Sequence, residues 1–216
     1  MGDGEKKEYR FVEGLPVLVW TLLAFLDSSP MEEVVITIPE GHDTRVRELL
    51  SHVPERFSSA GGSIRLVTGG ESRQESVLRG LEGFERPIEY VLIHDGARPW
   101  VSSHLIREVL RDCIANDATI PIIPITDAVK RVGPDGNISE HLARTVTMGA
   151  QTPQAFSFPA ILEAHRKASR DGRIYIDDSE IYSHYVAPVH TVRGDPDNMK
   201  ITFPRDLEKE FSGKSR

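Results

Sequence analysis

The sequence predicts an α/β protein in which helices cover both faces of a mostly parallel sheet. Runs rich in β-branched residues alternate with segments of helical apolar spacing between residues 15 and 132, and this alternation is typical of βαβ units. The strand-like runs are apolar at nearly every position, as in strands that are buried on both faces. Polar, glycine-containing stretches follow these runs, at the strand ends where such sheets bind their ligands.

Apolar spacing and local start or stop signals place the elements in order. The predicted helices occupy residues 15–29, 43–53, 72–84 and 102–116, the last with a serine N-cap. The predicted strands lie within the segments 32–40, 62–70, 88–99 and 117–132. In "YIDDSEIY", Asp177 and Asp178 predict the N-cap of a further helix, which we prefer to an acid–base pair.

Residues 126–150 depart from this alternation. A Gly-Pro-Asp-Gly turn lies there between two weakly β-like segments, which predicts a hairpin. The segment has few apolar residues to bury against its own sheet, so we expect an arm that protrudes and packs on a partner subunit rather than a disordered loop. The chain 1–216 is otherwise predicted to be one domain.

Composition and charge restrict the class of function. The net charge of −7 argues against nucleic-acid binding, but a few lysines and arginines in one cleft would still suit a small anionic substrate. The single cysteine, Cys113, cannot form an intrachain disulfide, which suits a reducing cytoplasm. The sequence has no signal peptide and no apolar run that could span a bilayer, so we expect a cytoplasmic protein that binds no membrane.

The stretch "HDGARP" (94–99) follows a predicted strand and forms one candidate site. Asp95 is suited to bind a ribose hydroxyl or a divalent cation, Gly96 lets the backbone approach a ligand, and Arg98 is suited to bind a phosphate. The alternative is structural, with Asp95 capping a turn and Arg98 paired with a surface acid. The residues alone favour neither interpretation.

The stretch "GGESRQES" (69–76) forms a second candidate site. Two glycines followed by a helix that opens with Ser72, Arg73 and Ser76 suit a base or a phosphate at a helix N-terminus. Two glycines alone are more typical of a tight turn.

Basic residues far apart in the sequence form a third set. Lys7, Arg144 and Lys200, like Thr152 in the turn "TPQAF", are most simply surface residues when taken singly. Collected around one cleft, basic residues would hold a polyphosphate and offset the charge of a phosphoryl transition state. The eight histidines show no metal-binding spacing, and no serine nucleophile motif is present.

Taken in order, the motifs resemble those of one enzyme family, the 2-C-methyl-D-erythritol 4-phosphate cytidylyltransferases of the non-mevalonate isoprenoid pathway. The motifs are "KKEY", "PVLVWTLLAF", "GGESRQESVLRGL", "VLIHDGARPWV", "ITDAVKRV", "TPQAF", "DDS" and "DNMKIT". The resemblance runs from residue 1 to about residue 210, and its specificity lies in their order and spacing. It implies a Rossmann-like nucleotidyltransferase fold. It also implies a reaction in which a polyol phosphate attacks the α-phosphorus of CTP in line, with Mg²⁺, and pyrophosphate leaves.

The resemblance also implies roles for residues of the nucleotide site. Lys7 of "KKEY" would contact the CTP phosphates and the transition state, and Lys200 of "DNMK" would lie near the same α-phosphate. Gly70, Glu71 and Ser76 would hold the cytosine.

Around the second substrate the resemblance implies further roles. Asp95 and Gly96 would face the ribose, with Asp95 also a metal ligand, and Arg98 and Thr152 would lie towards the polyol phosphate. In this family the hairpin arm exchanges between two subunits and brings an arginine into the neighbour's site. Arg144 matches that arginine, so the resemblance implies a homodimer through residues 126–150.

Two departures from the family pattern affect these expectations. Ala128 stands where the family usually has a threonine that helps to hold the polyol phosphate, and a hydrogen bond to a charged group contributes about 1.5–3 kcal/mol. Family members also begin with a hydrophobic strand and an Ala-Ala-Gly turn, whereas "MGDGEKKEY" matches only the end of the loop that follows. We therefore expect that this sequence is truncated, because a central strand is costly to lose.

Two alternatives to the leading interpretation remain. One is a cytidylyltransferase for another polyol phosphate such as ribitol 5-phosphate, which Ala128 leaves room for. The other is a non-catalytic dimer that binds CTP without releasing pyrophosphate. Turnover on the two polyol phosphates distinguishes the first, and nucleotide binding without turnover identifies the second.

Overall fold

Helices and strands alternate along the chain in the computed structural model, which describes residues 6–28, 31–53 and 62–208. The helices are α1 (Val17–Leu26), α2 (Asp43–Leu50), α3 (Arg73–Glu82), α4 (Ser103–Asn116), α5 (Phe158–Arg170) and α6 (Asp178–Tyr185). The strands are β1 (Phe11–Val12), β2 (Leu15–Pro16), β3 (Glu33–Ile38), β4 (Ser63–Thr68), β5 (Tyr90–Ile93), β6 (Ala118–Pro124), β7 (Lys130–Val132), β8 (Ile138–His141), β9 (Met148–Ala150), β10 (Gln154–Ser157) and β11 (His190–Arg193). The predicted α/β class is thereby confirmed.

The largest sheet is mixed in strand direction. Its order is β11-β6-β10-β5, with β9 also paired to β6. β11 runs parallel to β6, whereas β10 runs antiparallel to both β5 and β6, and β9 runs antiparallel to β6. The expectation of a mostly parallel sheet is therefore not confirmed. The reason is that β5 and β6 run in the same direction but leave one position between them, and β10 fills it after the chain returns from the hairpin segment.

A second, smaller sheet is separated from the first by a cavity. β3 and β4 pair in parallel from Glu33↔Ser63 to Ile38↔Thr68. A cavity of about 750 Å³ is lined by residues 31–39 on one side and 87–96 on the other, so it lies between β3 and β5. This explains why β3 is largely half-buried, with only Ile38 fully buried, although its run of β-branched residues predicts burial on both faces.

One part of the core forms where helices pack on the larger sheet, and another forms around β3 of the smaller sheet. In α4 the buried residues Leu105, Ile106, Val109 and Cys113 recur on one face and pack against Ala155 of β10. The predicted serine N-cap is confirmed, since the Ser102 side chain accepts a hydrogen bond from the Leu105 amide at 3.2 Å. Burial raises the pKa of the Cys113 thiol to about 12, which makes it an inert core residue.

The segment 126–150 contains the predicted hairpin. β7 and β8 pair in antiparallel fashion and form a two-stranded sheet of their own, and all residues of both strands are exposed. Gly136 in the connecting turn has φ of +79°, a conformation that favours glycine. Among residues 6–28, 31–53 and 62–208, no helix has the length and apolar character that a membrane crossing requires.

Candidate active site

Asp95 follows the carboxyl end of β5, and cations from three parts of the chain surround its carboxylate. Lys200 Nζ lies 3.0 Å and Arg98 Nε 3.3 Å from Oδ2, while Arg73 Nε lies 3.7 Å from Oδ1. The Asp95 side chain is only 14% exposed. Burial by itself raises its pKa, but Lys200, Arg73 and Arg98 outweigh burial and hold the pKa below the ordinary value of an aspartate. The carboxylate therefore stays ionised within an excess of positive charge, which suits a site for anions.

Arg98 is fixed by the turn in which it lies. Its amide donates to the carbonyl of Asp95 at 3.0 Å, and its side chain folds back to donate from Nη1 to the carbonyl of Asn198 at 2.8 Å. The structural alternative, in which Asp95 caps a turn and Arg98 pairs with a surface acid, is thus partly confirmed, since Asp95 begins a turn. The acid that pairs with Arg98 is Asp95, however, and not a surface residue, since the two side chains are only 13% and 14% exposed.

The loop before Lys200 is held by buried amides. Asn198 is fully buried and donates from Nδ2 to the carbonyl of Thr152 at 2.8 Å. Gln151 donates from Nε2 to the carbonyls of Asp195 and Asn198, at 2.8 and 3.2 Å. These contacts place Lys200 beside Asp95. Sequence reasoning missed both amides, because nothing near them in the sequence indicates that Gln151 and the loop meet.

Lys7 joins the site from the other end of the chain. Its Nζ donates to the carbonyl of Ile201 at 2.7 Å, and the Ile201 amide donates to the carbonyl of Ala97 at 2.8 Å. The predicted residues Lys7 and Lys200 therefore both lie at the segment around Ile201. Residues 1–5 of "MGDGEKKEY", which matches the end of the family's CTP loop, lie outside the part of the chain that the structure describes.

Thr152 is buried beneath the turn at Asp95. Its Oγ1 accepts a hydrogen bond from the Asp95 amide at 3.1 Å and lies 2.9 Å from His94 Nδ1. Burial lowers the pKa of His94 to about 4, so the ring is neutral at pH 7, and its Nε2 is 3.2 Å from the carbonyl of Arg98. We assign the proton to Nε2, which leaves Nδ1 to accept from the threonine. In this arrangement the Thr152 hydroxyl is engaged by protein groups at both sides.

The loop from Gly70 to α3 forms the second half of the site. The Gly70 amide donates to Ser76 Oγ at 3.0 Å, and the Glu71 amide donates to Glu75 Oε2 at 2.9 Å. Ser72 is the N-cap of α3 and accepts from the Glu75 amide at 3.1 Å. Gly70, Glu71 and Ser76 thus lie together at the start of α3, and their contact with cytosine stays a prediction. Gly96 lies at the edge of the first cluster, where its carbonyl accepts from Thr21 Oγ1 at 3.0 Å.

The two halves meet through Arg73, the first residue of α3. Its Nη2 donates to Asp178 Oδ2 at 2.7 Å, while its Nε faces Asp95. The predicted helix cap is confirmed at Asp177, which accepts a hydrogen bond from the Glu180 amide at 2.9 Å. The sequence marked Arg73 as part of the glycine loop but gave no sign of its pairing with Asp178, which lies 105 positions later.

Arg144 is the one predicted site residue that the single chain leaves outside this cluster. It is exposed in the hairpin segment, and its Nη1 donates to the carbonyl of Thr126 at 2.9 Å. The predicted action of Arg144 in a neighbouring subunit stays a prediction.

The predicted metal ligand Asp95 is a single carboxylate. Among residues 6–28, 31–53 and 62–208, no group of three or more His, Cys, Asp or Glu residues is placed to hold a metal ion. Mg²⁺ is commonly held by one or two carboxylates together with substrate phosphates, so one carboxylate fits that donor set. Both Asp95 oxygens face cations here, and a metal would bind only if these cations turned to other anions.

Comparison with known proteins finds one family throughout the chain. A sequence model described as 2-C-methyl-D-erythritol 4-phosphate cytidylyltransferase matches residues 1–211. A protein of that name from Bacillus mycoides is 33% identical over 207 residues, covering 96% of this chain and 88% of the relative. A bifunctional enzyme IspD/IspF from Allorhizobium ampelinum is 37% identical over 206 residues, covering 94% of this chain and 49% of the relative. This chain thus spans about half the length of the bifunctional relatives that it matches.

Solved structures show the same likeness. A 4-diphosphocytidyl-2C-methyl-D-erythritol synthase from Anaerococcus prevotii superposes with a TM-score of 0.83 at 28% identity, covering 96% of this chain and 89% of that one. A 2-C-methyl-D-erythritol 4-phosphate cytidylyltransferase from Thermus thermophilus gives 0.75 at 32% identity, covering 94% and 90%.

Proposed function

The chain belongs to the 2-C-methyl-D-erythritol 4-phosphate cytidylyltransferase family, and from this premise we propose that it transfers CMP from CTP to 2-C-methyl-D-erythritol 4-phosphate. The observation that carries the proposal is the cluster at Asp95. Three cations within 3.7 Å of one buried carboxylate provide positive charge at a strand end, where an α/β sheet binds its ligands.

The nucleotide is proposed to lie between Asp95 and the loop that runs from Gly70 into α3. Gly70, Glu71 and Ser76 would hold the cytosine, and Asp95 and Gly96 would face the ribose. In support, Arg73 joins the start of α3 to Asp95, so the two sets of residues border one site.

Lys7 and Lys200 are proposed to bind the phosphates. A phosphate oxygen of the polyol substrate forms a bond to the α-phosphorus while the bond to the leaving pyrophosphate breaks. Negative charge builds on the oxygens around phosphorus, and two ammonium groups held beside the Ile201 segment would offset it. No group of the protein becomes covalently attached, so rate enhancement comes from positioning and charge.

Mg²⁺ is proposed as the cofactor, with Asp95 as its protein ligand. When bound, the ion would neutralise charge on the phosphates and orient them. Lys200 and Arg98, which face Asp95 Oδ2 in the protein alone, would then be released to bind phosphate oxygens.

The polyol phosphate is proposed to contact Arg98, Thr152 and the Arg144 of a second subunit. Thr152 would donate to the phosphate by turning its hydroxyl proton away from His94. In support, the hairpin segment 126–150 has Val132, Ile138 and Val146 exposed, with 58, 53 and 80% of their surface accessible, and an interface would cover them. A protruding arm and a homodimer follow from this proposal. A cytoplasmic setting, expected from the single cysteine, stays a prediction.

The proposal is tested by measuring pyrophosphate release from CTP, Mg²⁺ and 2-C-methyl-D-erythritol 4-phosphate by the 216-residue chain. Lys200→Met removes the ammonium group beside Asp95 and is expected to lower kcat about 100-fold or more. Lys167→Met, on the exposed surface of α5, is the matched control and is expected to leave kcat unchanged. CTP binding without any pyrophosphate release by the unmodified chain would establish the non-catalytic alternative.

The alanine at position 128 makes a comparison of two acceptor substrates necessary. It is exposed at the start of the hairpin segment and offers no hydroxyl to a phosphate. Ribitol 5-phosphate is therefore the second acceptor to assay. A higher kcat/KM for ribitol 5-phosphate than for methylerythritol phosphate would identify ribitol 5-phosphate as the substrate.

The two-subunit site makes a prediction about mixed dimers. Arg144→Gln and Lys200→Met are each expected to be nearly inactive alone. If Arg144 acts in the neighbouring subunit, a dimer of one of each has one site with both changes and one site with neither. We expect pyrophosphate release to reappear when the two proteins are unfolded together and refolded as a mixture. Continued inactivity of mixed dimers would place Arg144 in its own subunit's site.

A further inference from the structure

A chain of hydrogen-bonded and paired polar side chains runs from the protein interior to the candidate site. His165 of α5 and Asp178 of α6 are both completely buried, and His165 Nε2 lies 3.2 Å from Asp178 Oδ1. The other oxygen of Asp178 accepts the 2.7 Å hydrogen bond from Arg73 Nη2. Arg73 in turn faces Asp95 Oδ1 with its Nε. None of the roles proposed above uses Asp178 or His165, and Arg73 enters them only as one of the three cations at Asp95.

The two oxygens of Asp95 have different partners, and this decides how the carboxylate can turn. Oδ2 faces Lys200 and Arg98, and Oδ1 faces Arg73. A carboxylate engaged on both oxygens is held in one orientation, whereas one engaged on a single oxygen rotates more freely. The direction in which Oδ2 points also determines where Lys200 Nζ lies when no substrate is bound.

Arg73 can only hold Asp95 if it is itself held. Its side chain is 37% exposed, and an arginine side chain without restraint moves among many rotamers. Asp178 provides the restraint because it is inaccessible to solvent and cannot move with the surface. The planar guanidinium can meet two acids at once, which an ammonium group cannot do with the same geometry.

We propose that Arg73 is a positioning residue that orients the carboxylate of Asp95, and that Asp178, supported by His165, is its buried anchor. The inference rests on the proposed function for its effect on catalysis. The orientation itself is a property of the protein without substrate.

Asp178 and Arg73 both keep their charges. Burial by itself would raise the pKa of Asp178, but the hydrogen bond from His165 and the charge of Arg73 outweigh burial and hold this pKa below the ordinary value. Burial likewise opposes the charge of Arg73, and Asp178 and Asp95 outweigh it and raise the pKa of Arg73. Both groups therefore remain charged at neutral pH. The groups that face Asp95 are Arg73 from α3, Arg98 from its own turn and Lys200 from the segment 194–201.

The test is the pKa of Asp95, followed by carbon-13 NMR of its carboxyl group in the unmodified chain, Arg73→Gln, Asp178→Asn and Asp177→Asn. Asp95→Asn assigns the signal. Removing the Arg73 cation is expected to raise the Asp95 pKa. Asp178→Asn removes a negative charge and would by itself lower the Asp95 pKa, so a rise in this variant shows that Arg73 has left Asp95. Asp177→Asn, the neighbouring helix cap, removes a negative charge without breaking the hydrogen bond between Arg73 and Asp178. It is the control and is expected to leave the Asp95 pKa unchanged or slightly lower, and not to raise it.

Kinetics of the same variants give the second measurement. Arg73→Gln and Asp178→Asn are both expected to lower kcat about 10- to 100-fold while KM for CTP changes little. A large rise in KM for CTP with Arg73→Gln alone would make Arg73 a substrate-binding residue and overturn the positioning role. A fall of the Asp95 pKa in Asp178→Asn would overturn the anchor. If the unmodified chain has no activity, the proposed function fails and the NMR titration still decides the inference.

Discussion

Gly70 lies where the backbone turns back onto the first turn of α3. A Cβ atom added there would come within 2.2–2.5 Å of the Glu75 side chain, including its Cβ, so the helix or the loop would have to shift. We expect Gly70→Ala to lower the free energy of unfolding by about 1–3 kcal/mol and to weaken CTP binding, measured by urea unfolding and by calorimetry. Gly149→Ala is the control, because its added Cβ meets its nearest atom at 3.5 Å. Equal effects of the two changes would contradict this reasoning.

The free energy of unfolding is expected to depend on pH through Asp178. Its folded pKa lies below the unfolded value, because His165 and Arg73 outweigh burial, so its contribution is complete above the ordinary aspartate pKa near 4 and is lost as pH falls through the lower folded value. We expect Asp178→Asn to reduce the free energy of unfolding by about 2–4 kcal/mol at pH 7. The difference from the unmodified chain should narrow as pH falls below about 4. A difference that stays constant from pH 7 to pH 3 would show that Asp178 is not the titrating group.

At the scale of elements, helices α3 and α4 both begin with a serine N-cap, but only α3 lies at the candidate site. Ser72 caps α3 and Ser102 caps α4, and each accepts a hydrogen bond from the amide three residues later. Ser72→Ala and Ser102→Ala should each cost about 1 kcal/mol in urea unfolding. Only Ser72→Ala should also raise KM for CTP, since Gly70, Glu71 and Ser76, which are proposed to hold the cytosine, lie around the start of α3. A raised KM in both variants would mean that the effect is general destabilisation.

Local signals in the sequence account for much of the fold and part of the site. The caps at Ser102 and Asp177 and the hairpin turn are visible because neighbouring residues make them. The insertion of β10 between β5 and β6 is not visible, because strand order depends on which sheet edge is open when the chain returns. The pairing of Arg73 with Asp178 escapes prediction for the same reason, since distant segments create it.

At the scale of the whole molecule, the candidate site is assembled by the ends of the sequence and its middle. Lys7 and Lys200 meet at Ile201, which is held by the turn at Ala97. The fold brings these segments to the carboxyl end of β5, next to the cavity between the two sheets, which Asp95 and Gly96 also line. A shift of one sheet relative to the other would therefore move Asp95 and Gly96, which line the cavity between the sheets.

The cavity between the sheets makes a prediction about backbone exchange. Within residues 6–28, 31–53 and 62–208, β3 pairs only with β4 and β5 only with β10, so each has one edge that faces the cavity. Strand edges without partners leave amide groups for solvent. We expect the amides of β3 and β5 that point into the cavity to exchange with deuterium faster than those of β6, which is paired on both sides, when exchange is followed by NMR. Equally slow exchange in all three strands would mean that a hydrogen-bonding partner fills the cavity in solution.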